Sequence, residues 1–215
     1  MPTKIDWPFQ PFRTLNVVIG CKHRCFYCWA KRMNDRFHYI PNWESPVFFW
    51  EKLDIPMRTR KPTTFFVGSM CDLFGDWISE DWIRQVIRLC EANPRHTFMF
   101  LTKNPHRYLQ FTFPMNVMLG VTITHYNLLA RSAVNIMNTV KMQNTRTFAS
   151  LEPIFGPFEG ISFDNFDLVI VGAQTGPQSL IPVRAWVDSI KHPNIWYKKN
   201  IIKIFPDLKN ICYEK

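Results

Sequence analysis

The sequence predicts an α/β fold built on a parallel β-sheet, and three observations support this prediction. Short apolar segments alternate with segments of helical periodicity, which is the order that a parallel sheet with right-handed crossovers requires. The apolar segments are mostly continuous runs, as expected for strands covered on both faces. Polar or small residues follow each apolar segment, at the edge of the sheet where parallel α/β folds bind ligands.

Seven segments have the character of such strands, and helices fit between several of them. Their ranges are 15–20, 64–68, 97–102, 117–122, 147–151, 168–172 and 195–197. Six or seven such units in 215 residues are compact for a complete eight-fold barrel. The pattern alone therefore leaves two architectures open, a partial parallel barrel and an open flavodoxin-like sheet.

Helical periodicity is clearest in residues 81–91, where Ser79 is a candidate N-cap and Cys90 falls on the apolar face. A second helix is predicted over residues 128–140. A third, over residues 29–37, directly follows a cysteine-rich loop and carries three basic side chains. These helices alternate with the predicted strands, as an α/β fold requires.

The length and composition are those of a globular protein, and we expect one domain over residues 1–215. Hydrophobic residues make up 47% of the chain, and no apolar run approaches the roughly 20 residues of a membrane helix. The first residues lack the apolar core of a signal peptide, so we expect a cytoplasmic protein without a membrane partner. The sequence does not indicate an oligomeric state.

The net charge of +9 favours a polyanionic partner such as nucleic acid, although a basic surface can also serve solubility alone. The basic C-terminal segment, residues 191–215, has the composition closest to a nucleic-acid-binding patch. Trp196 and Tyr197 are interleaved there with lysines, including Lys198 and Lys199. A solvated, charged face is the alternative interpretation.

Three cysteines in the loop 20–29 carry the strongest chemical signal. Cys21, Cys25 and Cys28 are spaced C-x3-C-x2-C, and three thiolates can hold three irons of a [4Fe–4S] cluster. The fourth iron is then open to a chelating small molecule, which indicates chemistry rather than electron relay. The alternative is structural zinc, which needs four ligands, with His23 or His38 as the fourth.

The cysteine loop resembles the radical S-adenosylmethionine (SAM) motif C-x3-C-x-aromatic-C, with Tyr27 as the aromatic residue. Further segments are similar, in order and approximate spacing, to the phage Gp37/Gp68-like family (DUF5131) of that superfamily. They are Phe66-Val-Gly-Ser-Met-Cys-Asp-Leu-Phe-Gly-Asp-Trp77, Phe100-Leu-Thr-Lys-Asn-Pro105, Leu119-Gly-Val-Thr122, Leu151-Glu-Pro153 and Val169-Ile-Val-Gly-Ala173. The similarity runs from about residue 4 to about residue 200, and it implies a partial parallel (βα)6-type barrel.

The resemblance also implies cofactors and a reaction type. A [4Fe–4S] cluster on Cys21, Cys25 and Cys28 would bind SAM and cleave it reductively, and the resulting 5′-deoxyadenosyl radical would abstract hydrogen from a substrate. An electron donor such as flavodoxin or ferredoxin is the implied partner. The charge and the phage family suggest a nucleic acid or nucleotide as substrate. Two other classes remain open: a zinc-stabilised nucleic-acid-binding module and a non-catalytic iron–sulfur redox protein.

Several residues after the second and third predicted strands are candidates for this site. Gly68, Ser69 and Met70 stand where radical SAM proteins have a Gly-Gly-Glu-like segment that binds the amino group of SAM; a tight turn that needs glycine is the alternative. Asp72 is a candidate cavity residue. Cys71 can return a hydrogen atom to a substrate radical, but a small core residue is the favoured explanation.

Lys103, with Thr102 before it, can pair with a SAM carboxylate or a substrate phosphate, or it is a surface lysine. Thr122 and Glu152 are candidates for hydrogen bonds to the SAM ribose or methionyl group, and Glu152 can instead brace its loop. The remaining strand-end candidates are Ser150, Gly172 and Gln174. Gly172 and Gln174 lie where adenine can approach the backbone, and a turn that needs glycine explains Gly172 equally well. We expect these residues to line one cavity.

Overall fold

The computed structural model describes residues 5–176 and 178–210, which form nine strands and six α-helices. The strands are β1 Phe12–Leu15, β2 Val18–Ile19, β3 Val47–Phe48, β4 Thr64–Val67, β5 Thr97–Thr102, β6 Val117–Thr122, β7 Arg146–Leu151, β8 Leu168–Val171 and β9 Ile195–Tyr197. The helices are α1 Trp29–Phe37, α2 Asp54–Arg58, α3 Glu80–Ala92, α4 Leu128–Met142, α5 Arg184–Asp188 and α6 Lys199–Ile202. Two 3-10 helices cover Trp50–Leu53 and Pro105–Gln110.

The main sheet has seven strands in the order β1-β4-β5-β6-β7-β8-β9. The register pairs Phe12 with Thr64 between β1 and β4, and Phe148 with Leu168 between β7 and β8, and both pairings are parallel. The β4–β5 and β8–β9 pairings are parallel as well. Strands that follow one another in this order are joined by crossovers, so the predicted parallel α/β sheet is confirmed.

The chain forms two compact units that divide within β6. The first unit, Phe9–Leu119, holds β1 to β5 and the beginning of β6. The second unit combines Ile5–Pro8 with the chain from Gly120 onward, which holds the end of β6 and β7 to β9. No helix in the described ranges combines the length and the apolar composition that crossing a membrane requires.

Aromatic side chains dominate the core of the first unit. Phe65 on β4 stacks on Phe98 of β5, with ring centroids 5.6 Å apart, and both rings are fully buried. Helix α3 packs its apolar face inward and includes Cys90, which is fully buried, as the sequence predicts. The side chain of Ser79 accepts a hydrogen bond from Asp81 N–H (3.2 Å), so the predicted N-cap is confirmed.

The core of the second unit is built on β7 and β8, whose residues from Thr147 to Leu151 and from Leu168 to Val171 are all buried. The Phe148 ring meets the Trp7 ring edge-on at 5.3 Å. The Phe148 ring also lies against Gly120 on β6, where an added Cβ atom would be only 2.2 Å from the ring. A glycine is therefore required there, because any side chain would overlap a buried aromatic ring.

The predicted first strand, residues 15–20, is wrong in its boundaries. Strand β1 ends at Leu15, and Val18–Ile19 pairs antiparallel with Val47–Phe48 in a separate two-stranded sheet. Asn16 marks the change, because its side chain accepts hydrogen bonds from Ser69 and Met70. Val17 and Val18 are nevertheless fully buried, so hydrophobicity alone continues across the break and does not reveal it.

Candidate cluster and cofactor site

The cysteine loop lies between β2 and α1, in the first unit, and is attached to the end of β4. Gly20 N–H donates to the Met70 carbonyl (3.0 Å), and Gly20 forms an isolated parallel bridge with Cys71. Gly20 has φ +114°, and a Cβ atom there would lie 2.8 Å from the Pro46 backbone and 2.9 Å from the Trp43 carbonyl. The entry to the loop therefore requires glycine for both its conformation and its close approach.

The three cysteines are all partly exposed, and both backbone and side-chain contacts hold the loop around them. Arg24, at φ 52°, forms a two-point ion pair with Glu44 at 3.0 and 2.8 Å. Cys28 starts helix α1, where its Sγ accepts a long hydrogen bond from the N–H of Lys31 (3.3 Å). The loop is thus held in a compact turn that presents three thiols within eight residues.

The donor set fits a three-thiolate iron–sulfur cluster, although the thiols are not already gathered as a metal site. Within residues 5–176 and 178–210, no three histidine, cysteine or acidic side chains are placed to hold a metal ion together. Burial raises the pKa of the Cys21 thiol to about 11, so cluster assembly has to displace its proton. Three cysteines on one loop supply the ligands of three irons, and the fourth iron needs another ligand.

The buried carboxylate of Asp72 connects the cysteine loop to the ends of β4 and β5. Its Oδ1 accepts hydrogen bonds from Thr102 Oγ1 (2.7 Å) and from the N–H of Phe74 (3.1 Å). Its Oδ2 accepts from the N–H of Lys103 (2.9 Å) and pairs with His23 Nε2 (2.6 Å). A carboxylate only accepts, so Nε2 of His23 must carry a proton.

This arrangement decides the charge of Asp72 and shows how Asp72 and His23 are held. Burial alone would raise the pKa of Asp72, but the hydrogen bonds from His23, Lys103 and Thr102 outweigh it and lower the pKa. Both carboxylate oxygens are occupied, so Asp72 acts as a structural anchor of the loop. The Nε2 atom of His23 is likewise engaged, so a metal could be bound by this ring only through Nδ1.

The segment Gly68-Ser69-Met70 forms a tight turn at the end of β4. Gly68 has φ +81°, and its carbonyl accepts the N–H of Cys71 (3.1 Å). The Ser69 hydroxyl and the Met70 N–H both donate to the side-chain oxygen of Asn16, at 3.0 and 3.3 Å. The turn therefore explains the glycine by itself, and the predicted contact of this segment with SAM stays a prediction.

Three further candidates lie around the loop. Cys71 is half-buried, and burial, followed by the nearby Asp72 and Cys21, raises the pKa of its thiol well above the usual range. Burial likewise raises the pKa of Tyr27, with the Cys25 thiol as the next cause. The ammonium of Lys103 lies 5.9 Å from the centroid of the Tyr27 ring. The ammonium of Lys103 therefore lies beside the ring of Tyr27, which belongs to the cysteine loop.

In the second unit, Glu152 and Lys198 form a close ion pair at the ends of β7 and β9. The Lys198 ammonium donates to both carboxylate oxygens, at 2.7 and 2.6 Å, and both side chains are largely buried. Gly172 lies beneath the pair, since a Cβ atom there would be 2.8 Å from Glu152 Cδ and 2.9 Å from Lys198 Cδ. The ion pair therefore needs glycine at position 172.

The other candidates of the second unit are held mainly by local hydrogen bonds. Ser150 is buried, and its carbonyl accepts the N–H of Ile123 (3.0 Å) at the end of β6, next to the half-buried Thr122. The side-chain oxygen of Gln174 accepts the N–H of Leu180 (3.0 Å). Asn200 bonds both backbone groups of Ala173, beside Gly172 and Gln174, and sequence analysis did not identify it.

Three residues of the basic C-terminal segment are engaged within the protein, while Lys191, Lys199 and Lys203 are exposed. Tyr197 is buried, and the indole N–H of Trp196 donates to the carbonyl of Asp6 (3.2 Å). Lys198 is committed to Glu152, so it is not available to a phosphate. Residues 211–215, which include Cys212, lie outside the described residues.

Substituting Gly172→Ala is expected to displace Glu152 and Lys198 and to lower the free energy of unfolding by about 1–3 kcal/mol, because an added methyl group overlaps both side chains. Urea denaturation of the two proteins measures the loss. Repeating the substitution in a Glu152→Ala background removes one of the overlapping groups, so the loss should shrink. An equal loss in both backgrounds would show that Glu152 does not lie over Gly172.

The fold is similar to that of a solved radical SAM enzyme. The solved chain is described as a spore photoproduct lyase variant with bound AdoMet and dinucleoside spore photoproduct. The match has a TM-score of 0.56 at 13% sequence identity and covers 75% of this chain and 56% of that one. This chain thus spans little more than half the length of its structural relative. Together with the strand order, the similarity confirms the predicted fold class, a partial parallel barrel of the radical SAM type.

Sequence comparison gives the family. A search of curated proteins finds no match to the chain. Residues 2–197 match the family described as "Protein of unknown function (DUF5131)", which is nearly the whole sequence. The extent of the match agrees with the resemblance seen in the individual motifs. This chain is therefore a member of the DUF5131 family, and its fold is the one that radical SAM enzymes use.

Proposed function

We propose that this protein is a radical SAM enzyme that binds a [4Fe–4S] cluster through Cys21, Cys25 and Cys28. The observation that carries the proposal is the three-cysteine loop, which is attached to the end of β4 within a fold of the radical SAM type. The fold by itself does not specify a reaction, because one fold supports many chemistries. The chemical argument therefore rests on the three thiols and the open iron they would leave.

The chain's own residues have distinct tasks in this proposal. When bound, the reduced cluster supplies the electron that cleaves SAM into methionine and a 5′-deoxyadenosyl radical, which takes hydrogen from the substrate. Asp72, through His23 and Thr102, holds the cysteine loop against the ends of β4 and β5. Lys103, beside Tyr27, is the cation we assign to the carboxylate of SAM.

The second unit carries four further candidates for SAM binding. Thr122 and Ser150 are placed at the ends of neighbouring strands and are candidates for hydrogen bonds to the ribose or methionyl group. Gly172 and Gln174 are candidates for the backbone approach of adenine. Glu152 is paired with Lys198, so we expect it to brace this edge rather than to bind SAM directly.

A nucleic acid or nucleotide is the substrate class that we propose. The net charge of +9 supports a polyanionic substrate. The structural relative was solved with a dinucleoside photoproduct, which is a property of that enzyme and only suggests the class for this one. The electron is proposed to come from a partner such as flavodoxin or ferredoxin.

The test is an anaerobic reaction. The protein is reconstituted with iron and sulfide, reduced, and mixed with SAM, and 5′-deoxyadenosine is measured by mass spectrometry. We expect product that depends on the reductant and is missing from the Cys28→Ala variant. A protein that binds stoichiometric zinc and assembles no cluster would overturn the proposal. An intact, reducible cluster that does not bind SAM in a direct binding assay would instead identify a redox protein.

A further inference from the structure

The surface formed by the cysteine loop and α1 exposes an unusual number of large aromatic side chains. Phe26 is 79% exposed, Trp29 is 43% exposed and Phe37 is 49% exposed. Three such rings fall within twelve residues of sequence. Soluble proteins rarely leave neighbouring aromatic side chains in water unless a partner covers them.

Arginines are interleaved with these rings. Trp29, Arg32 and Arg36 are spaced i, i+3 and i+7 on α1, so they lie along one face of the helix. The guanidinium of Arg36 lies over the Phe37 ring, 5.0 Å from its centroid. We call these residues the α1 stripe: Phe26, Trp29, Arg32, Arg36 and Phe37.

The surface around the α1 stripe is positive overall. Residues 22–37 contain five Lys or Arg side chains and one acidic side chain, Asp35. Asp35 pairs with Lys31 (2.8 Å) and Glu44 pairs with Arg24 (2.8 Å). Residues 22–37 therefore have a formal excess of positive charge, to which Arg32 and Arg36 contribute.

We propose that the α1 stripe binds an unpaired nucleic-acid strand, with bases stacked on the exposed rings and phosphates contacted by Arg32 and Arg36. Stacking on aromatic rings beside basic groups is the usual chemistry of single-strand binding, and every base has a face that can stack. The nine residues of α1 span about 13 Å at a rise of about 1.5 Å per residue. At roughly 3.4 Å per nucleotide, this length accommodates about four nucleotides.

A strand bound to the α1 stripe would lie beside the cysteine loop. Its role as a substrate rests on the proposed function. Strand binding itself needs neither reduction nor SAM, so the two proposals fail separately. An acidic electron-donor protein is the competing occupant of a positive surface near the loop. The exposed rings favour the strand, because charge alone would suffice for a weakly bound acidic donor.

The test is fluorescence anisotropy with a labelled 12-nucleotide oligothymidine, using the cluster-reconstituted protein and a salt titration. We expect binding at low salt that weakens as salt rises. The double variant Arg32→Glu/Arg36→Glu should bind at least about tenfold more weakly, and its salt slope should fall by about 0.7 for each lost phosphate contact. Phe26→Ala, which changes a mostly exposed ring, should weaken binding roughly tenfold through lost stacking.

Arg88→Glu/Arg95→Glu is the matched control, because it makes the same change of net charge at two exposed positions on α3 and the loop after it. It should bind much more tightly than the α1 variant. Equal losses in both double variants, equal affinity for a duplex of the same length, or no binding at low salt would overturn the proposal. So would α1 variants that bind the strand normally but are reduced more slowly by an acidic flavodoxin.

Discussion

Replacing any one of Cys21, Cys25 and Cys28 by alanine is expected to abolish both cluster assembly and SAM cleavage. Each substitution leaves two thiols, and a cluster with two missing ligands is not retained. Bound iron should fall from about four atoms per chain to well below one. Removing a residue that only contacts a metal ligand costs roughly 10–100-fold in metal affinity or activity. Removing a cysteine ligand should cost more than this. Iron and sulfide analysis of anaerobically reconstituted protein measures the loss.

Two other cysteines provide matched controls for this experiment. Cys90→Ala removes a thiol that is buried on the inner face of α3, so iron content should not change. Cys71→Ala is the sharper control, because Cys71 pairs with Gly20 at the entry to the loop. We expect this variant to retain iron as well. Loss of iron from Cys71→Ala would mean that the ligand set proposed here is wrong.

Asp72→Asn is expected to cause a large loss of stability, about 2–4 kcal/mol in the free energy of unfolding at neutral pH. The carboxylate accepts four hydrogen bonds, two on each oxygen. The amide nitrogen of asparagine would face the donors of His23 and Lys103 in one orientation and those of Thr102 and Phe74 in the other. Buried donors left without acceptors account for a loss of this size. Chemical denaturation gives the value. Asp76→Asn is the control, because Asp76 is exposed and its loss should cost under about 0.5 kcal/mol.

The pH dependence of this effect has a definite sign. The folded protein lowers the pKa of Asp72 below its unfolded value, which is near 3.9 for aspartate. The stabilisation by the carboxylate is therefore complete above about pH 4 and is lost as pH falls through the lowered folded value. We expect the stability difference between the native protein and Asp72→Asn to be constant near neutrality and to shrink below about pH 4. A difference that grows on acidification would contradict the assignment.

Much of the fold follows from local sequence pattern. Continuous apolar runs correctly gave β5, β6 and β9 at their observed bounds and β4, β7 and β8 to within one residue. The helix predicted over residues 29–37 matches α1 at both ends. The short helices α2, α5 and α6 were not identified, because segments of four or five residues depend on tertiary packing rather than on their own periodicity. The wrong bounds predicted for the first strand, residues 15–20, have the same origin. The apolar residues on both sides of Asn16 are buried, so their hydrophobicity does not show where one strand ends and the next begins.

The sequence by itself determined the cysteine spacing, the order of the strands and the positions of residues at the strand ends, because these depend on neighbours along the chain. Only the tertiary structure decided what those residues do. Asp72 joins His23 and Thr102, 49 and 30 residues away, and Glu152 joins Lys198, 46 residues away. Local periodicity contains no information about such partners. Folding removes these groups from water and requires each to find a partner. Only then is it decided that Asp72 is a buried anchor and that Lys198 is paired.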